Sequence, residues 1–200
     1  MSGNSLWPVP DQKETSQEYV FTERERHANV RKGDLSYPMR SIRDKQFLYI
    51  YNPMPERMPA GDSTVHQSVG QFGDVDNSIT KYLMMNMVKT DSPVDYFELS
   101  FGKRPEEELY DVQKDPYQLL NLAGNPAFKS IKSKMRGILM EWMKATGDRR
   151  ADNPTSEYWD NLRYTPDYQH TNVDYKSAIR EYLIRPPHTN ESLPCEFTNK

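Results

Sequence analysis

A single cysteine, Cys195, stands near the end of this 200-residue chain. One thiol forms no intramolecular disulfide and no thiolate metal cluster, so cysteine usage leaves the compartment unread. Long apolar runs are missing too. None approaches the roughly 20 residues that span a bilayer. Met1 to Pro10 carries no basic stretch followed by an apolar core, so it does not read as a secretory signal. Charge of one sign is not in excess: the formal net charge is -3, which gives no support for a general nucleic-acid or membrane-surface binder. The four histidines, His27, His66, His170 and His188, show no H-x-x-x-H spacing. Ser-His-Asp, P-loop and dinucleotide-binding patterns are absent as well. Apolar residues make up 36%, low for a globular chain, which predicts a modest core and a large surface or tail.

What is present in quantity is proline and tyrosine, 15 and 13 residues. They predict many turns and short extended segments between a few helices. Residues 1–17 are polar and broken by Pro8 and Pro10, and read as a linker. Residues 18–148 read as one folded subdomain. Residues 149–200 read as a polar extension rich in Tyr, Asn and Pro, with one short helix expected at Tyr175 to Ile184.

Within the subdomain, Glu18 to His27 alternates Glu and Arg after an aromatic cluster, as a strand with one solvated face does. Tyr37 to Arg43 and Gln46 to Tyr51 read as two strands joined by a tight turn at Asp44-Lys45, giving an antiparallel meander. Pro38 belongs at an edge or at a strand start, because it donates no ladder hydrogen bond. Asn52 to Asp74 is a loop. Asn77 to Lys89 has Ile79, Tyr82, Leu83, Met87 and Val88 near helical spacing, with Asp76 or Asn77 as the cap. Glu107 to Val112 returns to strand character, and Asp115-Pro116 opens a short helical turn. The clearest element is a helix over Pro126 to Thr146, capped by Asn125 and stopped by Gly147. Its apolar stripe is Phe128, Ile131, Met135, Ile138 and Trp142, with Leu139 beside it. Lys129, Lys132, Lys134 and Arg136 fall mostly on the other surface. The expected fold is α+β: a small antiparallel sheet with this helix packed across it.

The segment Glu108 to Leu122, E-L-Y-D-V-Q-K-D-P-Y-Q-L-L-N-L, resembles the C-terminal signature of sulfatases. Its physics is structural. Leu109 enters the core, Tyr110 packs on the other side of the strand, and Asp111 and Asp115 accept backbone N–H groups in the turn that follows. Gln118 replaces the acidic residue usual two positions after the proline. Tyr37 to Ser41, Y-P-M-R-S, followed by Phe47-Leu48 and Asn52, is similar to a run in sulfamidases, the heparan-N-sulfatase type. The opening Gly3 to Pro8 resembles that family's linker out of the catalytic domain. The resemblance runs in order from about Gly3 to Asp148. The segment from His27 to Tyr37 is longer than expected of the lysosomal sulfamidase.

Two residues invite a substrate-binding role. His27 ends the first strand, and the resemblance implies that it faces the active-site cleft. An imidazole there can donate to a sulfate or sugar hydroxyl, neutral or charged; the plainer reading is an exposed strand-end histidine. Arg40 can clamp a sulfate or carboxylate with two parallel bonds, or pair with a glutamate on a neighbouring strand. Glu23, Arg24, Glu25 and Arg26 read as a solvated strand face.

The resemblance implies a parent hydrolase of the alkaline phosphatase superfamily that takes sulfate from a glycan, N- or O-sulfated glucosamine in a heparan-like chain. Relatives attack sulfur with a formylglycine made from the cysteine or serine of a C-x-P-S-R motif, beside a divalent metal, usually calcium. Cys195 lies in L-P-C-E-F, which does not fit. No acidic pair or Asp-Asn in metal-binding context is present. Formylglycine and calcium are therefore expected in a missing N-terminal catalytic domain, this chain's partner alongside the sulfated glycan. No catalytic residue or metal ligand is assigned here, and a homodimer is left open. By the same resemblance the parent is expected outside the cytoplasm. Asn190-Glu191-Ser192 fits a glycosylation acceptor. Two other readings stay open: a fragment of a related phosphonate or phosphate-ester hydrolase, and a free-standing glycan-binding module.

Overall fold

The computed structural model describes residues 18–64, 70–86 and 94–162. The linker, the Tyr175–Ile184 helix, Met87, Val88, Cys195, the Asn190 acceptor and three histidines (His66, His170 and His188) lie outside the described residues.

Four short strands, β1 Val20–Arg24, β2 Met39–Arg43, β3 Phe47–Tyr51 and β4 Glu107–Asp111, form one antiparallel sheet in that order. The first three are the expected meander. Pro38 lies immediately before β2, where its missing N–H breaks no ladder bond. The β2–β3 turn is tied by Asp44, whose carboxylate accepts from the N–H groups of Gln46 and Phe47. β3 alternates as its sequence demands: Phe47, Tyr49 and Tyr51 are buried, while Leu48 and Ile50 on the opposite face are half-buried. The pairing Tyr49↔Leu109 and Leu48↔Tyr110 puts Leu109 in the core and Tyr110 behind it. That division of the signature is the expected one.

After β4 the chain turns. Asp111 accepts from the N–H groups of Gln113 and Lys114, and Asp115 from that of Leu120, also as expected. The Asp115-Pro116 step does not open a helical turn. The chain reverses in a turn closed by Gln118 N–H to the Asp115 carbonyl, and Gln118 takes φ 56°. The left-handed residue prevents helical continuation.

Residues Pro126–Phe128 make one 3-10 turn that leads into the long helix α3, Lys129–Ala145. Asn125 caps it by accepting from Ala127 N–H. α3 lies across the sheet, but its face is rotated from the expected stripe. Met135, Leu139 and Met143 are the fully buried line, packed with Ile42, Tyr49 and Leu109. Ile131, Ile138 and Trp142 flank it, half-buried, and Trp142 stacks flat on Phe21 at 4.9 Å. Lys132 and Arg136 are not simply surface residues. Both reach back to the sheet and close on Glu107, at 2.8 and 2.9 Å.

Burial alone would raise the Glu107 carboxyl. Hydrogen bonds from Lys132, Tyr49 and Arg136 outweigh it and hold the group at about 2. A depressed carboxylate stabilises the fold above its unfolded pKa and loses that contribution as pH falls toward the folded value. Glu107→Gln is therefore expected to cost roughly 2–3 kcal/mol at neutral pH. It should also flatten the loss of stability between about pH 5 and 2 in urea titrations.

A second, smaller core forms from Ala60, Phe72 and Phe101. Two helices flank it, α1 Ile79–Asn86 and α2 Tyr96–Phe101. The α1 cap is Ser78, whose hydroxyl accepts from Lys81 N–H, and not Asp76 or Asn77. Met84 and Met85 pack inward, while Ile79 and Leu83 are exposed. Phe21, Tyr49, Tyr51 and the Met84-Met85 pair therefore form no uncovered apolar face. α3 covers the aromatic residues, and the smaller core takes the methionines. Among the described residues the exposed large apolar side chains are Val20 on the far sheet face, Ile79, Leu83, Tyr96 and Phe97 on the helices, Tyr117, Leu119 and Leu120 in the turn after β4, and Tyr158; Leu48 and Ile50 on the far sheet face are half-buried.

Candidate functional site

Both candidate residues lie where β1 ends and β2 begins, but on opposite faces of the sheet. Strand alternation sends Arg24 to the far face and Glu23 and Arg40 to the helix face.

On the far face, the turn after β1 meets the loop that follows β3. Gly61 makes the approach feasible: at φ 95° a Cβ would lie 2.9 Å from Gly73 N and from Val30 Cγ2. Backbone bonds from Asp62 N to the Val30 carbonyl and from Asp74 N to the Ala60 carbonyl lock the two segments. This closure delivers Asp74 to a pair of arginines. Its Oδ2 accepts from Arg31 at 2.6 Å and from Arg24 at 2.9 Å. Arg31 is buried and also donates to the Met58 and Pro59 carbonyls. Burial depresses its guanidinium, with Asp74 pulling the other way. The ring of Tyr37 lies under it at 5.5 Å. Burial, then Glu108, pushes the Tyr37 hydroxyl up to about 12, so it stays protonated. His27 stands over this cluster with its side chain 66% exposed and Nδ1 3.6 Å from Asp74 Oδ1. The open imidazole stands beside Arg24, whose side chain is 37% exposed, and the two can donate together to an anionic ligand.

On the helix face, Arg40 is 1% exposed. Its five N–H groups all have protein acceptors: Asp148 twice, Glu25, and the carbonyls of Arg24 and Met39. The pairing partner is a glutamate just beyond the neighbouring strand, the structural alternative for this residue. A sulfate would have to displace one of these acceptors. Glu25 in turn accepts both bonds of a forked contact from Arg150, at 2.8 and 2.9 Å. Burial raises the Asp148 carboxyl, but Arg40 and the Arg150 N–H outweigh that and hold it low. Trp159 lies over Arg150 at 4.8 Å. Asp160 accepts from Ser36 N–H, the Ser36 hydroxyl and both terminal nitrogens of Arg57. Residues 148–160, of which 149 onward reads from sequence as extension, are thus tied to the strand ends. Glu25 and Arg26 are ordered parts of this joint, with Arg26 donating to the Trp159 carbonyl, and not a solvated face.

Sequence reasoning did not reach Arg31, Asp74, Asp148, Arg150 or Asp160. The available signal was the run of arginines between residues 24 and 57, since buried arginines need acidic partners. Among the described residues no three His, Cys, Asp or Glu side chains are placed to hold a metal ion. No helix among the described residues is long and apolar enough to cross a membrane.

No family model matches the chain. Individual relatives do. An ulvan-active sulfatase of Formosa agariphila is 31% identical over 154 residues, 76% of this chain and 26% of its own length. A second from the same organism is 30% identical over 145 residues, 70% and 22%. N-sulphoglucosamine sulphohydrolase of Homo sapiens is 26% identical over 150 residues, 74% and 27%. Among solved structures, a candidate sulfatase of Bacteroides thetaiotaomicron superposes with TM-score 0.43 at 18% identity, covering 76% of this chain and 22% of that one. A 2-O GAG sulfatase does so with TM-score 0.44 at 18% identity, covering 86% and 26%. The chain spans about a quarter of the length of the curated relatives it matches. It is homologous to sulfatases over about three quarters of its own length, and corresponds to their C-terminal part.

Proposed function

We propose that this chain is the C-terminal portion of a formylglycine-dependent sulfatase that removes sulfate from a glycan, of the heparan-like N- or O-sulfated glucosamine class. Its part is to brace the catalytic domain and form one wall of the substrate cleft. The observation that carries the reading is His27, which does not end the first strand as expected but stands exposed in the turn three residues after β1, above the Arg24–Arg31–Asp74 cluster. Support for a sulfated glycan comes from a relative named for ulvan, and support for glucosamine from one named for N-sulphoglucosamine. Formylglycine and calcium then belong to the catalytic domain. That domain docks on the far sheet face, where Val20 is exposed and Leu48 and Ile50 are half-buried, the face on which the His27 cluster stands.

The test has two arms. Purified residues 1–200 should turn over neither an aryl sulfate nor N-sulfated glucosamine; turnover that survives a chelator would refute the proposal. In the enzyme assembled with its catalytic domain, His27→Ala should lower kcat/KM by about 10- to 100-fold, the value of one hydrogen bond to a charged group. The melting temperature should fall only slightly, because the His27 side chain is two-thirds exposed and its contact with Asp74 is long. An unchanged kcat/KM would remove His27 from the site.

A further inference from the structure

We propose that Asp74 is a positioning residue for His27: its Oδ1 holds the imidazole by Nδ1 and so presents Nε2 outward. This rests on the reading of His27 as substrate-facing.

The two oxygens of Asp74 are in different situations. Oδ2 takes the hydrogen bonds from Arg31 and Arg24. Oδ1 is buried and has no hydrogen bond among the described residues, although the side chain is only 3% exposed. A buried carboxylate oxygen without a donor is costly and rarely left so. The imidazole Nδ1 is 3.6 Å away, inside ion-pair range and a few tenths of an ångström beyond a hydrogen bond. The carboxylate cannot swing to meet it. Arg31 is pinned by the Met58 and Pro59 carbonyls, and Asp74 N–H by the Ala60 carbonyl. His27 can move, because its ring is two-thirds exposed. A small rotation of that ring satisfies Oδ1.

The chemical consequence concerns which nitrogen carries the proton. A neutral imidazole in water prefers N–H at Nε2; a carboxylate facing Nδ1 reverses that preference, because only Nδ1–H can donate to it. His27 then shows a bare Nε2 to the cleft when neutral, an acceptor for a sugar hydroxyl. When protonated it shows an Nε2–H that donates to a sulfate or carboxylate. Arg31 and Arg24 set this up without touching the ligand.

Nitrogen-15 NMR of the 200-residue chain reads the tautomer directly, with His27→Gln identifying the His27 signals among the four histidines. At a pH where the ring is neutral, His27 should be predominantly the Nδ1–H form. In Asp74→Asn the arginines claim the amide oxygen and turn the NH2 toward the ring, so His27 should switch to the Nε2–H form. A wild-type His27 in the Nε2–H form overturns the proposal, and this measurement needs no variant to fold. So does an Asp74→Asn chain that folds and keeps Nδ1–H. The tautomer is read without substrate, so it can fail while the activity loss in His27→Ala stands, and the reverse.

Discussion

Replacing Arg150 by alanine should destabilise the chain by roughly 3–5 kcal/mol, the cost of stripping one partner from a buried charge cluster. Arg150 is fully buried and meets Glu25 with a two-pronged contact, while also donating to the Pro154 carbonyl. Without it, Glu25 keeps Arg40 alone, and Arg40 already serves Asp148. The deletion therefore leaves a mostly buried carboxylate short of donors. Arg149→Ala is the control one residue away. Arg149 is exposed and stacks on Tyr158, itself half-open, at 4.1 Å. Its loss should cost less than about 1 kcal/mol. Urea unfolding of the two variants decides the matter, and equal midpoints would show that the joint contributes nothing.

Leu139→Ala should cost roughly 2–5 kcal/mol, because the side chain is wholly buried among Ile42, Tyr49 and Leu109 and leaves a cavity. Trp142→Ala should cost less, about 1–2 kcal/mol, although it removes more atoms. Its ring is half-buried and has one stacking partner, Phe21. From residue spacing alone, with the tryptophan taken as central, that substitution would be expected to cost about 3–5 kcal/mol. A larger loss at Trp142 than at Leu139 would put the buried line of α3 back on the sequence-derived stripe.

What could be read from sequence, and what could not, divides by the range of the interaction. The meander, the Asp44 turn, Asn125 as cap and the Leu109/Tyr110 division follow from local pattern and were all legible. The rotation of α3 was not. Met143 and Trp142 are adjacent on the helix, and hydropathy alone does not say which meets the sheet; the register with β2 and β3 decides it. Ser78 was passed over as a cap because two acceptors stood just before it. α2 was invisible as a helix because it has only six residues, nucleated by Asp95 and packed through Phe101. At the site, His27 and Arg40 were found because they lie at strand ends within a recognisable run. Their acidic partners were not, since Asp74 and Asp148 follow them by 47 and 108 positions. No periodicity carries information over such distances.

Those distances also set a schedule. Glu25 and Arg150 are 125 positions apart, and Ser36 and Asp160 are 124 apart. On the ribosome, at about 5–20 residues per second, β1 and β2 would wait roughly 6–25 s for the segment that neutralises their buried charges. Until then Arg40 has Glu25 but lacks Asp148, and for the earlier part of the wait, before Glu107–Asp111 is made, the sheet also lacks its fourth strand. The nascent chain therefore passes through an interval in which a three-stranded meander with its β3 edge unpaired is its main structure, a species prone to pair with a neighbour.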